Sequence, residues 1–208
     1  MAPEAVVAER AYRLLKADIV AGRFKPGQII VERALASEHG ISIAPLRDGA
    51  QRLVGERLLE PALRGGYRLP AIAERDLRDL YQWHDHLVRL ILGSADRAMF
   101  GVFAIREQPD LTSAQAAKAA TALFRLVGEC STNREHAHAL LAANDRLESV
   151  RQHEASLLPH LAEEFGQLQI ALLRGSDRDR LGRLRAYHRR RIRRVDKIIA
   201  VLTTPETS

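Results

Sequence analysis

From residue 71 onward, apolar residues recur at steps of three and four, and no stretch alternates as a half-buried strand would. Such a chain must bury one stripe of each helix against other helices. ERDLRDLYQWHDHLVRLIL predicts one amphipathic helix. TSAQAAKAATALFRLVGEC predicts a second, opened by Thr112 or Ser113 as N-cap, and NREHAHALLAANDRLESV a third. Pro159 ends or interrupts QHEASLL, and HLAEEFGQLQIALL runs to a stop at Gly175. DRDRLGRLRAYHRRRIRRVDKIIAVL predicts one last helix. Its stripe is Leu181, Leu184, His188, Ile192, Val195, Ile199 and Leu202, in which His188 is the one polar member. The tail TTPETS is expected to fray.

The first 70 residues are punctuated differently. A helix over residues 4–21 carries Val7, Ala11, Leu14, Leu15 and Val20 and can end at Gly22. GRFKPGQ is turn chemistry, and Ile29-Ile30-Val31 predicts a short strand. A short helix from Glu32 to His39 is stopped by Gly40. Another follows from Ser42, whose hydroxyl can accept from a first-turn N–H. Pro45 then falls in the first turn, where N–H groups have no intrahelical partner and a missing one costs little. Leu46, Ala50, Leu53 and Val54 form its buried stripe, leaving Ile43, Ala44, Arg47 and Gln51 off it. LLEPAL and GYRLP around RGG predict a hairpin. Two short helices across a glycine turn, followed by a hairpin, predict a helix-turn-helix with a wing. The second helix of that motif enters the DNA major groove by its N-terminal end. Arg47 is placed for that role, or is an ordinary surface arginine.

Charge separates the same regions. Residues 1–70 carry 11 Lys/Arg against 8 Asp/Glu, residues 71–173 carry 10 against 14, and residues 174–197 carry 11 against 3. A basic end beside an acidic middle fits a nucleic-acid contact at one end and a different task elsewhere. The single Cys130 excludes an internal disulfide framework and reads as a small buried hydrophobe. There is no signal-peptide pattern and no apolar run of membrane-spanning length, so a soluble cytoplasmic protein is expected, with no membrane partner. No phosphate loop, nucleophile motif or Cys–His pair points to an enzyme. The acid pairs Asp177/Asp179 and Glu163/Glu164 read as helix surface.

LLKADIVAGRFKPGQII, ERALASEHGISIAPLRDGAQRL and LLEPALRGGYRL resemble the winged-helix domain of the GntR family of bacterial transcription regulators. The helical remainder is similar, more loosely, to the effector domain of that family's FadR-like branch, the FCD domain. The resemblance implies a mainly α fold: a winged helix-turn-helix over 1–70, then an all-α bundle over 71–208 for effector binding and dimerisation. It places DNA contacts on Arg33 and Arg47, with Ile43 where the family has a third arginine. An arginine–guanine pair contributes about 1–3 kcal/mol of discrimination, so that exchange should change base preference. Ser42, Ala44 and Gln51 join this face, and Arg64, Gly65, Gly66 and Arg68 suit phosphate or minor-groove contacts. Arg52 and Arg57 read as structural or solvated.

The same branch often holds a divalent metal. Its four ligand positions fall here on Ala120, Phe124, Phe165 and His188, and one imidazole is too few. No metal and no cofactor are therefore expected. These four residues would line an effector pocket for a carboxylate, aided by Arg125 or Arg189. The other histidines, including the pairs His84/His86 and His136/His138, read as surface or core. The run RRRIRR reads as a solvated face, or as a contact to DNA, to the DNA-binding domain or to an anionic effector. The expected function is a homodimeric, ligand-responsive repressor on double-stranded operator DNA. The alternative is a regulator whose helical module only dimerises.

Overall fold

The computed structural model describes residues 3–63, 65–94 and 111–204. The chain divides into two compact units, and the division falls between Ile72 and Ala73. The first unit holds helix α1 (Pro3–Val20), strand β1 (Ile29–Ile30), α2 (Glu32–His39), α3 (Ile43–Gly55), β2 (Glu60–Pro61) and β3 (Tyr67–Arg68). The second is helical throughout among its described residues: α4 (Glu74–Ser94), α5 (Ser113–Glu129), α6 (Arg134–Leu157), α7 (Leu161–Arg174), α8 (Asp177–Ile192) and α9 (Val195–Thr203).

In the first unit α1 lies against α3. Leu15, Ile19, Leu35, Leu46, Ala50 and Leu53 form one core with Ile30, Leu59, Tyr67 and Leu69. On α1 the buried C-terminal residue is Ile19 rather than Val20, and Val7 is exposed. Ala11 and Leu15 are buried as expected, so the stripe keeps its register there and differs only at its ends. Gly49 is what lets the two helices approach: a Cβ there would stand 2.8 Å from the backbone nitrogen of Tyr12. Gly40 closes α2 in the left-handed region (φ 62) and donates back to Ala36 and Ser37 carbonyls, as glycine does at helix ends. The three strands pair antiparallel in the order β1-β3-β2, with Ile30 and Pro61 both opposite Tyr67. Beyond α3, Arg57 itself takes a left-handed φ of 59, a structural use of that residue.

In the second unit α4 and α6 are the central helices. α4 packs on α5, α6, α8 and α9, and α6 packs on α4, α5 and α9. Thr112 forms a full capping box with Gln115 at the start of α5, and Ser176 forms one with Asp179 at the start of α8. The expected single last helix is instead two, because the chain turns at Arg193 and Arg194. The inward face also differs from the expected apolar stripe, because it includes polar side chains. The buried row is Arg180, Leu184, Tyr187, His188, Arg191, Val195, Ile198 and Leu202. Arg191, read from sequence as lying off the stripe, is 1% exposed.

Candidate nucleic-acid interface and buried polar cluster

The start of α3 presents its polar side chains outward. Ser42, Ala44, Arg47 and Gln51 are exposed, as is Arg33 on α2. Leu46 and Ala50 on the opposite face are 2% and 1% exposed, so the amphipathic pattern fixes which side is free. Ser42 occupies the N-cap position with extended backbone, but its hydroxyl accepts no capping hydrogen bond. The expected capping role is therefore positional only, and Pro45 removes one N–H that would otherwise need a partner. Ile43 is half-buried and packs in part against the core, so only a portion of it is free to meet a base.

Arg47 is not a free side chain. Its Nη2 donates to Glu32 Oε2 at 2.9 Å and its Nε to Oε1 at 3.4 Å. Tyr67 Oη, from β3, reaches the Arg47 carbonyl at 3.5 Å. Arg52, on the other side of α3, pairs with Glu9 at 2.7 Å and stacks over Tyr12 at 3.8 Å, which makes it a tie between α1 and α3. In the wing, Ala62 N–H donates to Gly66 O at 3.1 Å and Gly65 N–H to Ala62 O at 3.0 Å. Gly65 and Gly66 have φ of 87 and 78, values that a β-carbon makes costly. Arg68 is exposed and bonded to Glu60 at 2.5 Å. Arg64 lies outside the described residues.

The interior of the second unit is polar at its centre. His84 of α4, Arg151 of α6 and His188 of α8 are each at most 1% exposed. His188 Nδ1 stands 2.9 Å from the Leu184 carbonyl, which can only accept, so that nitrogen carries the proton. His188 Nε2 is then an acceptor, and His84 Nδ1, at 2.9 Å, must be its donor. His84 Nε2 is left to accept from Arg151 Nη2 at 3.3 Å. One chain of hydrogen bonds thus fixes both tautomers and keeps both rings neutral. Burial, reinforced by Arg151 and by His188 itself, holds the His84 pKa well below its usual value. Burial likewise takes His188 down to about 3, against the partial support of its bond to Leu184. Asp85 Oδ1 also approaches His188 Nδ1, at 3.3 Å, but the Leu184 carbonyl is the hydrogen-bonded partner.

Two buried arginines share this region and differ in their partners. Arg191 donates through Nε and Nη2 to Glu154 Oε2 at 2.9 and 2.8 Å, and through Nη1 to Glu164 Oε2 at 3.1 Å. It stacks over Tyr187 at 3.3 Å. Burial opposes its charge, but Glu154 and Glu164 outweigh that and raise its pKa. Glu154, 1% exposed, accepts a further bond from Tyr81 Oη at 2.8 Å. Arg151 instead donates to Thr121 Oγ1 at 2.9 Å and to Asn144 Oδ1 and O at 2.8 and 3.3 Å. Among the described residues its hydrogen-bond acceptors are all neutral, and its Nε has no acceptor.

Of the residues expected to line an effector pocket, Phe124 and His188 meet in this cluster. Phe124 packs edge-on against His84, with ring centroids 4.6 Å apart, and lies 5.9 Å from His188. Ala120 and Phe165 are buried (3% each), and among the described residues Phe165 is not one of the clustered rings. Arg125 and Arg189, expected to assist, are exposed, and Arg125 pairs with Asp145. The guanidinium bonded to the histidine pair is that of Arg151, which sequence reasoning missed together with the role of His84. The signal for His84 was present: it is the polar member of the α4 stripe Leu77, Tyr81, His84, Val88, Ile91. A divalent metal does not fit this set. Ala120, Phe124 and Phe165 offer no ligand atoms, the two imidazoles bond to each other, and a cation already sits beside them. Among the described residues no group of three or more His, Cys, Asp or Glu is placed to hold a metal ion.

Comparison with known proteins agrees with this architecture. Residues 7–69 match the family described as bacterial regulatory proteins, gntR family. The HTH-type transcriptional repressor GlaR of Escherichia coli (strain K12) is 31% identical over 84 residues, covering 40% of this chain and 38% of that protein. The uncharacterized HTH-type transcriptional regulator YdhC of Bacillus subtilis (strain 168) is 33% identical over 89 residues, covering 41% and 40%. The chain thus aligns with well under half the length of these curated relatives. Among solved structures, E. coli McbR/YncC matches 95% of this chain and 99% of its own with a TM-score of 0.70 at 18% identity. A putative GntR regulator from Rhodococcus sp. RHA1 matches 91% and 97% with a TM-score of 0.58, also at 18%. At that identity the likeness is one of fold. The fold is a winged helix-turn-helix followed by a helical domain, and it is residues 7–69, within the N-terminal unit, that match the gntR family of bacterial regulatory proteins.

Proposed function

We propose that the protein is a cytoplasmic transcription regulator, acting as a repressor. In this reading it binds double-stranded operator DNA as a homodimer, and its helical unit senses a small carboxylate. The observation that carries the DNA reading is the free N-terminal face of α3, with Arg47 exposed above a buried Leu46/Ala50 stripe in a gntR-type unit. One such helix contacts too little DNA for tight specific binding, which is why two-fold pairing on a pseudo-palindromic site belongs to the proposal. Arg33, Ser42, Ala44, Gln51 and the free part of Ile43 complete the base-facing surface. Arg64, Gly65, Gly66 and Arg68 of the wing meet backbone or minor groove. Selection from a random DNA pool followed by footprinting tests it. Arg47→Ala should weaken the selected site and flatten preference at one base pair. Arg68→Ala should weaken all sequences alike and lower the salt slope by about one. An unchanged footprint with Arg47→Ala would refute the placement.

The effector reading rests on Arg151, a buried cation whose acceptors are all neutral. A buried charge without an opposite charge is costly, and a carboxylate would relieve that. Phe124 lies under the Arg151 guanidinium and His188 is linked to it through His84; Ala120 and Phe165 remain in the proposal as apolar lining. One observation favours a second reading, in which the helical unit only dimerises. Arg151, His84 and His188 are all closed off from solvent and bonded to one another. A thermal-shift screen with small organic acids separates the two. Stabilisation that disappears with Arg151→Met supports sensing, and no response across the acids supports the dimerisation module.

A further inference from the structure

Glu32 opens α2 beside the extended Val31, which supplies no side-chain cap. A carboxylate in that first turn is favoured by the helix dipole, yet it does not cap its own helix. It crosses to α3 and meets Arg47 along one edge of the guanidinium, with 2.9 Å to Nη2 and 3.4 Å to Nε. The Glu32 side chain is 16% exposed and that of Arg47 59%. The carboxylate therefore holds the arginine from the protein side. A guanidinium has five N–H donors in a planar fork. Glu32 takes the Nε hydrogen and one on Nη2. The other edge, with both Nη1 hydrogens and the second on Nη2, stays open and faces away. That open edge has the shape that reads guanine O6 and N7 together.

We infer that Glu32 is a positioning residue for base readout: it orients the Arg47 fork toward the major groove, so that Arg47 discriminates bases rather than serving as a mobile positive charge. The inference rests on the DNA-binding reading above. Pairing two long side chains at a surface contributes little to folding. What the pair changes is the freedom of Arg47, whose rotamers would otherwise be lost at the moment of binding. Glu32 also brings a negative charge near phosphates, so it lowers affinity for DNA of any sequence. Removing it should have opposite effects on specific and non-specific binding.

The experiment uses the full chain, a selected site, its single-base variants and a random duplex. Glu32→Gln should reduce discrimination at one base pair on the order of 10-fold. The base pair should be the one that Arg47→Ala flattens, and random-duplex affinity should be unchanged or higher. In an Arg47→Ala background, Glu32→Gln should have no further effect on base preference. Glu32→Ala should behave alike, and circular dichroism melts of both variants should overlay the parent, which excludes loss of α2. The inference is overturned if Glu32→Gln keeps full discrimination, weakens all sequences equally, or adds to Arg47→Ala. A parent protein that selects no sequence would overturn the DNA-binding reading and this inference with it; the other outcomes overturn the inference alone.

Discussion

Arg191 and Arg151, both buried in the helical unit, should respond to the same substitution by unequal amounts. Arg191→Met keeps the side-chain length and removes the charge. It leaves Glu154, 1% exposed, without the two bonds at 2.9 and 2.8 Å that neutralise it, and with only Tyr81 Oη as donor. Glu164 retains Arg190 at 3.2 Å, so it is not orphaned. Breaking a buried ion pair from one side costs about 3–5 kcal/mol, against a whole-domain stability of roughly 5–15 kcal/mol. Arg151→Met removes a buried charge whose acceptors are neutral, and the recovered desolvation offsets much of what is lost. It strands Asn144 Oδ1, Thr121 Oγ1 and His84 Nε2, at roughly 1 kcal/mol each before that offset. A net loss of about 1–2 kcal/mol follows.

Urea denaturation resolves the difference. With a slope of about 2 kcal/mol/M, Arg191→Met should lower the midpoint by roughly 2 M and Arg151→Met by less than about 1 M. Trp83 is the only tryptophan and lies on α4, so its fluorescence follows the helical unit alone. The double change Arg191→Met with Glu154→Leu should recover most of the loss, because replacing both partners removes the stranded charge. Equal shifts for the two single variants, or a larger one for Arg151→Met, would refute the partner assignment.

Three further outcomes are expected. Gly49→Ala puts a Cβ 2.8 Å from the Tyr12 backbone nitrogen, and forcing α1 from α3 should destabilise the first unit by about 1–3 kcal/mol; far-UV circular dichroism would show a lower first transition. The histidine pair makes the helical unit acid-sensitive: the pKa values of His84 and His188 are lower folded than unfolded, so their contribution is full above about pH 6.5 and is lost as pH falls toward 3. Arg151, Arg191 and Arg89 add to the depression of His188, and Asp85 stands beside it. Between pH 7 and 5 the Trp83 midpoint should therefore fall, less so in His188→Asn, and a flat profile would contradict neutral buried imidazoles. EDTA should leave the melting temperature unchanged, checked by elemental analysis of protein purified without chelator. Near-stoichiometric zinc, nickel or manganese lost with His188→Ala would contradict it.

Local chemistry made much of the fold legible. Pro45 in a first turn, Gly40 after a short helix, Thr112 with Gln115 three residues on, and the glycines of the wing each act within a few residues of themselves. What escaped is non-local or depends on phase. His84 and His188 are 104 residues apart, and Arg191 and Glu154 are 37 apart, so no window of sequence contains either pair. The buried row steps by three and four through Tyr187, Arg191, Val195 and Ile198, and a stripe chosen by apolar residues alone selects Ile192 where the buried residue is Arg191. Gly49 could not be told from an ordinary helix glycine without the backbone of α1 beside it. On α3 the sequence separates the outward face from the core, but it cannot show that Glu32 already holds Arg47.

What shares a guanidinium tells these arginines apart better than exposure alone. Arg191 is buried with Glu154 and Glu164 in contact, so its charge is cancelled and its role is internal. Arg47 is exposed, with a carboxylate on one edge and donors left on the other. A half-satisfied fork at a surface is suited to reading a partner that supplies acceptors in a fixed plane. Arg151 is as buried as Arg191 but bonded only to neutral acceptors, and its charge adds to the burial that keeps two imidazoles unprotonated. The same accounting fixes which substitutions are informative. Adding a carboxylate beside Arg151, as in Thr121→Asp, should stabilise the helical unit and abolish any response to organic acids. Adding one beside Arg191 should not, because its demand for opposite charge is already met. A ligand-responsive protein that kept its full response with Thr121→Asp would have its anion site elsewhere.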